Sequence, residues 1–163
     1  MARMTCYYNS DDLCLDFNLT KNKSFVYDKH NEDYLNWIPV EVRLRVGENI
    51  FDPGSIPTLS MEGIKYFLKI IDKLLMEKNT LKIKFGENRE YSTFSYYATE
   101  GEFEILLKNL YDDEREVDVI NVTIWFSRGG YGEAYRFMTT LNECVDFFDD
   151  LKMQLSNLLS GLQ

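Results

Sequence analysis

Between Trp37 and Val46 the chain alternates: Ile38, Val40, Val42, Leu44 and Val46 fall on one side, Glu41, Arg43 and Arg45 on the other. A period of two is that of a half-buried strand. The pattern recurs where Leu81, Ile83 and Phe85 alternate with Lys82 and Lys84, and where Phe103, Ile105 and Leu107 alternate with Glu102 and Glu104. It recurs again within 117–126, whose Ile120, Val122, Ile124 and Phe126 share one face. The turn formers Gly47-Glu48-Asn49, Gly86-Glu87-Asn88, Glu100-Gly101 and Gly129-Gly130 separate these runs. Such short connections make consecutive strands antiparallel neighbours. Residues 91–97 and 134–138 complete a meander. Two further strands, 4–8 and 13–19, flank Asn9-Ser10-Asp11-Asp12, and the polar stretch 20–36 reads as a long connection.

Two segments switch to helical spacing. Ser60 is a suitable N-cap, Glu62 sits in the first turn, and Ile64, Phe67, Leu68, Ile71 and Leu75 follow as one apolar stripe that ends near Asn79. Thr140-Leu141-Asn142-Glu143 matches the capping box. Behind it Leu141, Cys144, Val145, Phe148, Leu151, Leu155, Leu158 and Leu162 form a second stripe, with Asp146, Asp149 and Asp150 pointing elsewhere. The order of elements predicts an α+β fold: a single two-layer domain, with a mostly antiparallel curved sheet and two main helices packed on one face. Its 163 residues suit one domain, with 37–163 as the core and 1–36 as an N-terminal extension or hairpin.

Composition narrows the function classes. No run of about 18 apolar residues occurs and no apolar core of signal-peptide length follows the start, so neither secretion nor membrane spanning is expected. Cys6, Cys14 and Cys144 lack metal-ligand or redox spacing and read as reduced thiols of a cytoplasmic protein. His30 is the only histidine and lies in a polar loop, which argues against His-based zinc sites and Ser-His or Cys-His nucleophiles. Arg128-Gly129-Gly130-Tyr131-Gly132 joins two strands, so it lacks the helix terminus that holds phosphate. Asp11-Asp12 and Asp112-Asp113-Glu114 lack the alternating ligands and glycine of a calcium loop and read as solvated turns. No catalytic residue, metal ligand or cofactor is predicted. Basic residues are scattered and do not align into a stripe, which, with a pI of about 4.7, argues against direct nucleic-acid binding.

The charge is lopsided. Residues 100–163 hold 13 Asp/Glu against 5 Lys/Arg, and residues 1–99 hold 14 against 13. These acids are interleaved with large apolar residues, so a folded surface must display them. Such a face keeps a protein soluble or docks a basic partner. Asp112, Asp113, Glu114, Glu116, Asp146, Asp149 and Asp150 are the candidate charged contacts, with Tyr111 and Tyr131 as aromatic anchors. Trp37, Tyr91, Tyr96, Tyr97 and Trp125 lie in strands and are assigned to cross-strand stacking.

The segment Trp37-Ile38-Pro39-Val40-Glu41-Val42-Arg43-Leu44, the helix from Leu59 to Leu75, the strand from Gly101 to Leu107, the long strand before Ser127 and the helix from Thr140 to Leu159 resemble, in order and spacing, the WapI-type immunity proteins. The resemblance covers about residues 35–160 and rests on hydrophobic pattern and helix boundaries. It implies a bacterial cytoplasmic protein that neutralises the toxic C-terminal domain of a cell-wall-associated or polymorphic toxin. Many such toxins are nucleases with basic surfaces, so an acidic inhibitor fits, acting as a monomer or weak dimer. The alternatives are a phage-type acidic inhibitor of a nucleic-acid-binding protein, or a small carboxylate-dependent enzyme or metal-binding protein, in which acids would converge in one pocket.

Overall fold

The structure is a computed structural model that describes residues 1–8, 12–20, 27–53, 57–81, 91–98, 101–128 and 131–160. Strands β1 (Ala2–Thr5), β2 (Leu13–Leu19), β3 (Trp37–Val46), β4 (Asn49–Phe51) and β5 (Thr58–Ser60) precede helices α1 (Met61–Leu68) and α2 (Ile70–Leu81). Strands β6 (Thr93–Tyr97), β7 (Phe103–Asp112), β8 (Val117–Arg128) and β9 (Tyr131–Thr140) follow, and helix α3 (Leu141–Ser160) closes the chain. A single turn of 3-10 helix, Asp33–Leu35, sits within the long connection and packs beside α1.

The fold is α+β and antiparallel throughout, as the spacing predicts, but its strands divide between two sheets. One has the order β1-β2-β3-β4 with β5 also paired to β3; the other has the order β6-β7-β8-β9. They approach where the Tyr7 amide donates to the Met138 carbonyl at 2.6 Å. The α1–α2 segment intervenes between β5 and β6, and α3 packs on β1 and β2 of one sheet and on β8 and β9 of the other.

A ring cluster ties the layers together. Phe17 of β2 meets Phe67 of α1 at 5.6 Å, Phe103 of β7 at 5.9 Å and Phe147 of α3 at 6.3 Å between centroids. Phe67 also contacts Tyr96 of β6 and Phe148 of α3. Each such pair is worth about 0.5–1.5 kcal/mol beyond its buried area. One continuous core therefore includes both sheets and all three helices.

Three local readings change. The first helix is interrupted at Lys69, whose amide donates to Tyr66 at 3.1 Å, a bond spanning three residues that tightens the chain there. The stripe shifts accordingly: Ile70 and Leu74 are fully buried while Leu75 is only half-buried. The capping box is half formed. Thr140 Oγ1 accepts from the Glu143 amide at 3.1 Å, but the Glu143 carboxylate turns to β1 and accepts from Thr5 Oγ1 at 3.0 Å. Phe147, outside the predicted stripe, is buried against Phe17. Leu81 ends α2, and the rest of the strand expected over 81–85 lies outside the described residues, as does Leu162.

Candidate partner-binding surface

The β7–β8 hairpin displays the first group of predicted contacts. Asp112 and Val117 form its last registered pair, leaving Asp113, Glu114, Arg115 and Glu116 as the turn. Glu116 closes it with φ of 55°, a left-handed conformation that costs a side-chain-bearing residue roughly 1–2 kcal/mol. Asp113, Glu114 and Glu116 are exposed. Asp112 differs from them: Oδ1 accepts from the Glu114 and Arg115 amides at 3.1 and 3.2 Å, and Oδ2 accepts from the Tyr8 hydroxyl at 2.9 Å. Arg115 lies over the rings of Tyr7 and Tyr8, 5.2 and 4.6 Å from their centroids. The two tyrosines thus run from β9, where Tyr7 bonds Met138, to the hairpin turn.

Tyr111 is partly exposed and sits opposite Asp118 in the β7–β8 register. Partial desolvation, followed by the charges of Glu116, Asp118 and Asp113, holds its phenol above the ordinary range. Tyr131 opens β9, and its side chain lies outside the described part of the structure.

The second group lies on α3. The buried residues Cys144, Phe147, Phe148, Leu151 and Leu155 define one side of the helix. At 3.6 residues per turn Asp146, Asp149 and Asp150 fall on the opposite side, around an exposed Met153. Asp149 pairs with Lys152 at 3.1 Å. The hairpin and the N-terminal end of α3 meet at a cleft, although Asp146, Asp149 and Asp150 are not among its lining residues. A cleft of about 330 Å³ is lined by Glu116 and Asp118 on one wall and by Thr140, Leu141 and Asn142 at the start of α3 on the other. Lys78 enters it from α2 and forms an ion pair with Asp118.

The rest of the predicted chemistry is quiet. His30 is exposed, and its backbone amide donates to Asp28 Oδ1 at 2.8 Å. Cys6, Cys14 and Cys144 are free thiols, and burial pushes Cys144 up to about 12. Among the described residues no group of three or more His, Cys, Asp or Glu could hold a metal ion. No described helix is long and apolar enough to cross a membrane.

A second exposed surface departs from the sequence reading. The assignment of in-strand aromatics to stacking holds for Tyr96, which is buried against Phe67 and Phe103. It fails for Tyr97 and Trp125, which are 65% and 44% exposed on the outer face of the four-stranded sheet. The strand phase carries that signal: Ile124 and Phe126 point inward, so Trp125 between them must point outward.

No family model, characterised protein or solved structure matches the chain.

Proposed function

We propose that the chain is a non-enzymatic immunity protein that binds the basic domain of a bacterial toxin through its acidic end. The observation that supports this most directly is the cleft between the β7–β8 hairpin and α3. Along residues 111–118 five acids face one base, and along α3 four acids face one base. A basic partner that spans the hairpin and α3 would be drawn by both groups, and complementary potentials of this kind raise association rates by 10–10³-fold, roughly, at low salt. The resemblance to WapI-type immunity proteins supplies the partner class.

The exposed Asp113, Glu114, Glu116, Asp146 and Asp149 and the half-buried Asp150 supply the charge, and Tyr111 the anchor. Asp112 has a different part: it shapes the turn that presents the others. The test is co-expression of the chain, in a heterologous bacterial host, with the C-terminal domain of a toxin encoded beside its gene. Restored growth together with a stable purified complex supports the proposal. Growth arrest that persists at equal expression of both proteins overturns it.

A further inference from the structure

On the outer face of the four-stranded sheet, Tyr97, Glu104 and Trp125 occupy one cross-strand row: Tyr97 is registered with Glu104, and Glu104 with Trp125. Side chains in such a row stand about 4.5–5.5 Å apart at Cβ, and the carboxylate and both rings line one groove. A shallow groove of about 190 Å³ opens beside them, with Gly101 and Gly132 among its walls. Gly132 matters here. A Cβ at that position would come 3.7 Å from the Trp125 ring, so the indole lies close against bare backbone and one side of it is supported. Glu104 faces Tyr97 across the β6–β7 register, and the pull of its carboxylate on the hydroxyl is the main reason the Tyr97 phenol is held above the ordinary range. A carboxylate offers about four acceptor positions, so Glu104 retains capacity for a second donor.

We infer that this row is a slot for an arginine side chain of a protein partner. The planar guanidinium stacks on the open face of Trp125 while its N–H fork pairs with Glu104, and Tyr97 bounds the slot on the far side. Charge complementarity favours this occupant over an acidic or purely apolar one, since the chain carries a net charge of -9 and the row's only ionisable group of ordinary pH is a carboxylate. Arginine also gains more than lysine from a ring and a carboxylate held side by side, because stacking and bidentate pairing are satisfied together. The slot lies on a sheet face, apart from the acidic hairpin and α3. It therefore adds a specific contact beyond the diffuse charge of the acidic end and does not depend on the immunity reading.

The test uses the full chain and short capped peptides, acetyl-Gly-Arg-Gly-amide against the same peptide with norleucine in place of arginine, followed by NMR. The Trp125 indole N–H is assigned by its loss in Trp125→Phe. The arginine peptide is expected to shift that signal saturably and the norleucine peptide to leave it in place. Glu104→Gln, isosteric and on an exposed face, is expected to weaken arginine binding about threefold, the scale of a partly exposed ion pair. Tyr97→Ala is expected to weaken it by a similar factor. Equal shifts with norleucine, unchanged affinity in Glu104→Gln, or no shift at Trp125 with either peptide would overturn the inference. Unmoved core methyl signals verify that each variant is folded. Failure of growth rescue with an intact slot counts against the immunity reading alone, and a silent slot with growth rescue counts against this inference alone.

Discussion

The Tyr8 hydroxyl donates to Asp112 Oδ2 at 2.9 Å, so the N-terminal segment grips the hairpin whose acids face solvent. Asp112 is thereby separated in role from its neighbours. Asp112→Ala removes the acceptor of two turn amides as well as the Tyr8 bond, and is expected to cost about 1–2 kcal/mol of stability. Asp113→Lys and Glu114→Lys break no such bond and should stay within about 0.5 kcal/mol of the parent. Urea denaturation compares them. Equal losses at all three positions would contradict the assignment of Asp112 to structure and of Asp113 and Glu114 to display.

Glu116 offers a variant in which charge and stability move in opposite directions. Its φ of 55° suits Asn far better than Glu, so Glu116→Asn should stabilise the hairpin by up to about 1 kcal/mol while deleting one acid. Weaker binding to a basic partner in this more stable protein would report electrostatics free of any folding defect. A lower melting temperature would show that the Glu116 side chain makes contacts the turn needs.

Gly63 in α1 is fixed by its neighbour rather than by its backbone. A Cβ there would lie 3.0 Å from the Tyr96 hydroxyl, which is buried and has no partner among the described residues. Gly63→Ala should gain helix propensity of roughly 1 kcal/mol but lose more to this clash. In a Tyr96→Phe background the closest contact is relieved, leaving the Ser60 Oγ at 3.2 Å, and Gly63→Ala should become markedly less costly. A double-mutant cycle measures the coupling; additive effects would mean that the hydroxyl moves aside without cost.

Cys144 predicts an alkaline loss of stability. Burial holds the folded thiol near 12, whereas an unfolded thiol titrates near 9.0. Above pH 9 the unfolded chain therefore releases this proton first, so Cys144 favours unfolding increasingly as pH rises toward 12. The contribution is complete below pH 9 and is lost by roughly 1.4 kcal/mol per pH unit across the window. Cys144→Ser cannot titrate there. Its stability difference from the parent should shrink between pH 9 and 11, measured by urea denaturation, and a constant difference would refute the buried-thiol account.

Strands with one wet face were readable because their apolar residues keep a period of two, and β3 and β8 fall where that period places them. The division into two sheets was not readable, since the helix after β5 shows in the sequence but the pairing of β5 with β3, and of β6 only with β7, is set by contacts distant in the chain. Glu143 shows how tertiary contact overrides a local motif: its carboxylate finds Thr5, far away in sequence, before its own N-cap amide. The acidic candidates were legible as charges, yet their difference in role depends on Tyr7 and Tyr8, which reach the hairpin from more than a hundred residues away in sequence. Tyr97 and Trp125 could have been found from strand phase, which outranks the general tendency of aromatics to stack in sheets.

The helix acids give the sharpest test of the proposed partner contact. Asp146, Asp149 and Asp150 lie opposite the buried side of α3, so their neutralisation touches no core residue. Asp149 pairs with Lys152, an exposed i,i+3 contact worth only a few tenths of a kcal/mol, whereas the exposed Asp146 and the half-buried Asp150 change the field without loss of a core contact. Asp146→Asn and Asp150→Asn together should therefore leave the melting temperature almost unchanged. Against the toxin domain identified by growth rescue, they should lower the association rate severalfold at low salt, with much less change in dissociation. The difference should fade as ionic strength rises, because exposed charges are screened beyond about 8 Å at 0.15 M. Stopped-flow binding across a salt series separates the cases. A rate that is insensitive to both charges at low salt would mean that the partner does not approach along α3, and the acids of this helix would then serve solubility alone.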